Sequence, residues 1–235
     1  MRSGTLVARW LLGTALVSWR YLWQITPLHR SECLGRVPDD TPPPLPAELH
    51  DDRLQTADEG VGSFYHRRFR VEILDAVLGP GALMRRVAGE FQRFVPSEVV
   101  GVRIGEQVSG PLKVGDELVV EMPGPWDGPV RVVHAADTCL RLATLRGHLE
   151  AGQVEFHAAR DGDVLTFEVQ AWARPSTRLV RWLYSSVRLA KEAQLNMWVR
   201  CCRAAAREAG GHPSNGVVIE TRQLPEDVRV QPDTA

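Results

Sequence analysis

His148 and Glu150 stand two residues apart in the stretch Leu145-Arg146-Gly147-His148-Leu149-Glu150. An imidazole beside a carboxylate can act as a general base, or as a polar anchor at the mouth of a cavity. The same histidine can instead be a hairpin-loop residue whose ring bonds a backbone carbonyl, and this plainer reading is preferred. A second constellation is Glu155, His157, Glu168 and Gln170. Alternation on two neighbouring strands places each polar set on one face, and antiparallel pairing draws the sets together. Catalysis there requires them to point inward, against Val154, Phe156 and Ala158, so a solvated convex face is the expected outcome. His148, Glu150 and Glu155 remain as weak catalytic candidates, and the reading leans away from an enzyme.

The chain carries no nucleophile elbow, phosphate-cradling glycine loop, metal-ligand cluster or nucleic-acid signature, and Gly79-Pro80-Gly81 lacks the spacing of a dinucleotide loop. Cys33, Cys139, Cys201 and Cys202 show neither disulfide nor ligand spacing; they read as reduced, small apolar residues, which suits a cytoplasmic protein. No cofactor and no metal are expected. With 28 basic against 29 acidic residues, the net charge of −1 gives no reason to expect a nucleic-acid partner.

The elements that have to position these residues begin with Phe64 to Leu74, a strand of alternating character, and Pro80 to Phe94, a helical stretch with proline where a first turn tolerates it. Strand patterns then follow at Glu98–Ile104, Glu117–Met122, Val130–Ala135, Cys139–Leu145, Gln153–Ala159 and Val164–Ala173, most of them separated by Gly- and Asp-bearing turns. In the last strand Leu165, Phe167, Val169, Ala171 and Ala173 share one face, opposite Thr166, Glu168, Gln170 and Trp172. A helix from Ser176 to Ala209 follows, with Leu179, Leu183, Ala190, Ala193, Met197, Cys201 and Ala204 on one stripe, stopped by Gly210-Gly211 and Pro213. Small residues on that stripe leave room between helix and sheet. Trp126, His148, Phe156, Phe167, Leu183, Ala190 and Met197 are the expected lining of such a cavity.

At the amino-terminal end, Leu6 to Ile25 is mostly apolar but holds Arg9 and Arg20 on one helical face, which disfavours spanning a membrane. The segment either packs on its own domain or lies in a membrane interface, making peripheral contact through residues 6–25. Five arginines against Glu32 leave residues 1–36 with a charge of +4, and seven basic residues against Glu192 and Glu208 make the long helix basic as well. Pro38 to Pro46 contains five prolines and resists both helix and sheet. The expected organisation is an N-terminal amphipathic helical segment at 1–36, a Pro-rich linker or strap at 37–59, the folded domain at 60–210 and a partly flexible extension at 211–235.

Met122-Pro123-Gly124-Pro125-Trp126-Asp127-Gly128-Pro129-Val130-Arg131-Val132, together with Ala143 to Phe156, resembles an uncharacterised family, domain of unknown function nineteen-ninety. Thr144, Leu145, Gly147, His148, Gly152, Phe156, Arg174 and Pro175 fit its pattern, whereas Ala143 and Gln153 depart from it. Ser18-Trp19-Arg20-Tyr21-Leu22-Trp23 with Thr26 to Arg30 looks like a branch carrying an extra N-terminal helix. The resemblance covers nearly the whole chain. It implies an α+β fold of the START-like (SRPBCC) superfamily: a helix-grip, with a curved antiparallel sheet of about six to seven strands around a long C-terminal helix. Members of that superfamily typically hold lipids, sterols, polyketides or other apolar molecules beneath the helix, and some are cyclases or hydrolases. The implied function is binding of an apolar small molecule or lipid. The alternatives are a cyclase- or hydrolase-type enzyme using His148 with Glu150 or Glu155, and a membrane-peripheral interaction protein.

Overall fold

Period-two alternation accounts for most of the sheet. The computed structural model describes residues 28–96, 100–105, 108, 110–121, 127–178, 180 and 188–230. Its strands are β1 (Leu28–Leu34), β2 (Phe64–Leu74), β3 (Gly101–Ile104), β4 (Glu117–Glu121), β5 (Asp127–Ala136), β6 (Cys139–Thr144), β7 (Glu150–Asp161), β8 (Val164–Pro175) and β9 (His212–Leu224). They form one curved sheet in the order β1-β9-β2-β8-β7-β6-β5-β4-β3, antiparallel apart from the parallel β1–β9 pair. Among the described residues two helices, α1 (Pro80–Gly89) and α2 (Arg188–Glu208), pack on its concave side, which makes the arrangement a helix-grip.

Nine strands stand where alternation alone counts six to seven, and both additions come from the chain ends. Residues 212–224, read from their polar composition as an extension, run between β1 and β2 as the longest strand of the sheet. Val217 opposite Val71 and Ile219 opposite Phe69 supply its buried contacts. The amino-terminal helix expected at Leu6–Ile25 lies outside the described residues, as do Trp126, Leu179 and residues 181–187. No helix among the described residues is long and apolar enough to cross a membrane.

The centre of the concave side is filled by side chains. Registration places Ile219, Phe69, Val169, Phe156 and Leu140 in one line across β9, β2, β8, β7 and β6, each of them no more than 2% exposed. Leu83, Met84 and Val87 of α1 close over this line from one side; Cys201, Cys202, Ala205, Ala206 and Ala209 of α2 close over it from the other. Each large side chain buried here contributes about 1.5–3 kcal/mol relative to leaving it in water. Gly210, at φ 73, ends α2 in the left-handed conformation, and the Ala209 carbonyl then accepts the amides of Val77 and Leu78.

The convex side is covered as well. Residues 38–62, whose prolines forbid helix and sheet, lie across it as an extended strap. Leu45, Leu49 and Leu54 pack on Val133, Ala143 and Leu145, and the carbonyls of Pro43, Pro44 and Leu49 accept hydrogen bonds from Gln153, Arg141 and Arg131. Asp40 meets His66 at 2.9 Å, and the other His66 nitrogen meets Gln170 at 2.9 Å, while the imidazole stacks on Trp172. Further along, Glu117 takes a two-pronged contact from Arg53 and a second guanidinium from Arg131, which also pairs with Asp51 at 2.8 Å. Burial works against the Glu117 charge, but these guanidinium hydrogen bonds hold its carboxyl below the usual range.

Candidate functional site

The family-like residues of the β6–β7 hairpin converge on the strap. Thr144 Oγ accepts the Gly152 amide at 2.9 Å and donates to the Gln55 carbonyl at 2.9 Å. The Gln55 amide in turn donates to the carbonyls of His148 and Glu150. Gly152 has φ 155, and a Cβ there would fall inside the van der Waals shell of the Trp172 carbonyl oxygen, so the close approach of β7 to β8 requires glycine. Arg174 holds the carbonyls of Glu226 and Val228, and Pro175 accepts the Val61 amide. These residues fasten the strap and the C-terminal tail to the sheet.

His148 belongs to this fastening. Its Nδ1 lies 2.9 Å from the Glu150 amide nitrogen and 3.0 Å from the Glu150 carbonyl oxygen, so this side of the ring is taken up by backbone in either tautomer. Burial of the ring drives its pKa down to about 4, against a smaller opposing effect of the Glu150 backbone. Glu155 lies five residues further along β7, roughly 16 Å at strand rise. It stands on the convex side beside Arg141 at 3.9 Å, with Gln170 opposite it across the β7–β8 pair. His157 and Glu168 face each other on the same side. The polar set does gather as alternation predicts, but on the face opposite Phe156, and His148 stands at the hairpin apart from it. Burial pushes the Cys201 thiol up to about 12, and burial together with Glu155 does the same for Cys139, so both are held as thiols. Among the described residues no group of three or more His, Cys, Asp or Glu is arranged to hold a metal ion.

The concave side offers a different prospect. Phe156 and Phe167 are fully buried; Phe156 sits edge-on between Phe91 at 5.4 Å and Trp198 at 5.8 Å. Both therefore serve as packed wall. Met197 is only partly covered, as are Val102, Val120 and Val154 on the inner faces of β3, β4 and β7. Leu183 and the side chain of Ala190, like Trp126, are outside the described residues. The line of residues next to Phe69 and Phe156 runs Thr221, Arg67, Ala171, Val154 and Leu142, and the line beyond that begins Gln223, Tyr65, Ala173 and Gly152. Ala171, Thr221, Ala173 and Gly152 are smaller than the Phe69, Val169, Phe156 and Ile219 of the central line.

Two residues at this end of the grip escaped the sequence reading. Arg67 shares its parity on β2 with Phe69, Val71 and Ile73, so it points inward; it is 7% exposed, with its guanidinium 4.8 Å from the centre of the Tyr65 ring. A charge on the apolar parity of a strand was the available signal. Trp198, on α2, is 8% exposed, and its indole Nε1 makes no hydrogen bond among the described residues. It sits four residues before Cys202, whose Sγ lies against the Phe69 carbonyl.

Solved structures with some likeness share little sequence. Ginseng major latex-like protein 151 from Panax ginseng is 11% identical with a TM-score of 0.43, over 61% of this chain and 97% of that one. Norcoclaurine synthase from Thalictrum flavum, solved with dopamine and hydroxybenzaldehyde, is 10% identical with a TM-score of 0.45, over 64% and 89%. The di-domain ARO/CYC StfQ of the steffimycin biosynthetic pathway is 12% identical with a TM-score of 0.42, over 66% and 54%. No curated protein matches the chain. A family model does match, over residues 55–204, which contain the strap's end, the hairpin, the inner wall and most of α2: the chain belongs to the family described as domain of unknown function DUF1990.

Proposed function

We propose that the inner sheet face and α2 enclose a hollow that binds an apolar small molecule. The observation that carries this reading is Val154. It lies on β7, which has a strand on either side, so it has no sheet edge through which to meet solvent, and it is still not fully covered. Cores are close-packed, and an inward valine in mid-sheet that keeps accessible area borders unfilled space. Met197 on α2 and Val120 on β4 face the same interior and are likewise only partly covered. The wall is apolar, so the occupant is apolar over most of its surface.

Displacement of a neutral environment-sensitive dye such as Nile red, followed by native mass spectrometry of the ligand-bound protein, tests the reading. Saturable binding at one molecule per chain, weakened by Val154→Trp filling the space, is the expected result. Failure of the dye and of every apolar competitor to bind overturns it. A catalytic role for His148, Glu150 and Glu155 gains no support, because the imidazole is occupied by backbone groups and the Glu155 carboxylate is on the other side of the sheet.

A further inference from the structure

We infer that the molecule taken up by this hollow is an apolar carboxylic acid whose head group pairs with Arg67. This rests on the hollow being a binding site, as proposed above, and adds the chemistry of one end of its ligand. Along β2, β6, β7 and β8 the inward positions are apolar or small except Tyr65, Arg67, Arg160 and Glu150, the last in the outermost line, at the hairpin end of β7. Arg160 is exposed at the far end, where it caps the Ala76 and Leu78 carbonyls. Arg67 is the buried one, and it borders the small residues: Ala171 stands directly opposite it on β8 and Thr221 opposite it on β9. A guanidinium has five N–H donors in a planar fork, which fits a carboxylate with two parallel hydrogen bonds and has capacity beyond one partner.

Trp198 points to the same chemistry. The Ala209 carbonyl meets Val77 and Leu78 just past the end of β2, and Cys202 lies against Phe69, so α2 and β2 advance in the same direction. Trp198 is one helical turn back from Cys202, about 6 Å. Arg67 is two strand residues back from Phe69, about 6.6 Å. The two residues therefore stand level along the grip in their backbone positions, with the Trp198 ring 5.8 Å from that of Phe156. Both are donors without any acceptor lone pair, and the indole N–H has no protein acceptor among the described residues. A ligand suited to such a pair presents acceptors only at one end. A carboxylate does so, whereas an alcohol brings a competing donor and an amine brings a repelling charge.

The test compares matched pairs at pH 7.5 by dye displacement and calorimetry: dodecanoic acid against dodecanol and its methyl ester, and naphthoic acid against naphthylmethanol. Charge-assisted pairing predicts that one of the acids binds on the order of tenfold or more tighter than its neutral partners. Arg67→Met should erase that preference while leaving dodecanol or naphthylmethanol affinity within about twofold, which also reports that the variant is folded; Arg67→Lys should retain part of it. Equal binding of acids and alcohols to the wild-type protein overturns the carboxylate assignment and leaves the apolar hollow standing. Equal losses for acid and alcohol in Arg67→Met overturn it too. No binding by any of these compounds removes both readings together. Should Arg67→Met not fold, the wild-type comparison decides alone.

Discussion

Acidification should weaken this fold partly through His148, and the effect can be isolated with one substitution. In the folded chain the ring is held neutral, with a pKa of about 4 against the ordinary 6.5, because its withdrawal from water outweighs the opposing effect of the Glu150 backbone. The unfolded chain therefore binds a proton at His148 more readily than the folded one between those two values, so stability rises with pH across that window and falls as pH drops through it. At 1.36 kcal/mol per pKa unit, linkage gives a loss of about 2 kcal/mol on going from pH 7.5 to pH 5, which halves to about 1 kcal/mol because the ring keeps some contact with solvent. His148→Asn places an amide oxygen near the position of Nδ1, retains an acceptor for the Glu150 amide and removes the titration. Urea unfolding followed by tryptophan fluorescence at pH 7.5 and pH 5 should show the wild-type protein losing about 1 kcal/mol more than His148→Asn over this interval. Equal losses in the two proteins, or an imidazole that titrates near 6.5 by NMR in the folded state, would refute the reasoning.

Other substitutions probe separate parts of the fold. Gly152→Ala forces a Cβ onto the Trp172 carbonyl at a backbone angle that side chains rarely adopt, and should cost more than about 4 kcal/mol, read as loss of cooperative thermal unfolding. Phe156→Ala empties the position between Phe91 and Trp198 and should cost about 3–5 kcal/mol in urea unfolding. Arg131→Met removes the guanidinium that ties Glu117 to the Leu49 carbonyl and should cost about 1–3 kcal/mol, with faster proteolytic cutting between residues 38 and 62 as its local signature.

The parts of this molecule legible in the sequence are those whose pattern and surroundings agree. Leu165, Phe167 and Val169 alternate with Thr166, Glu168 and Gln170, and the sheet places them inward and outward accordingly. Gly210 stops α2 where its flexibility predicts. β9 was hidden because Pro213, Ser214, Asn215 and Gly216 open it with turn residues, and its ladder partners lie far away in sequence. The strap announces an extended chain through its prolines, but nothing local specifies that Gln55 will meet Thr144 or that Asp40 will meet His66. The convex side seemed destined for solvent for the same reason: Glu168 reads as part of a solvated face with Glu155, His157 and Gln170, yet it is buried. Around the candidate hollow, Phe156 and Met197 follow from periodicity, whereas Arg67 breaks it. Such a break is informative once the strand is known to face inward.

The placement of β9 between β1 and β2 also has a consequence for how the chain is made. Leu28–Leu34 leaves the ribosome well before the strand it pairs with, His212–Leu224. At roughly 5–20 residues per second, β1 waits on the order of ten to forty seconds with nothing to pair against. The strap waits too, for Thr144 and then for Pro175. The order of synthesis is thus opposed to the order of assembly, and nascent chains stopped before residue 212 should present β1 and one flank of β2 as open edges, the state in which a holding chaperone would find most to grasp.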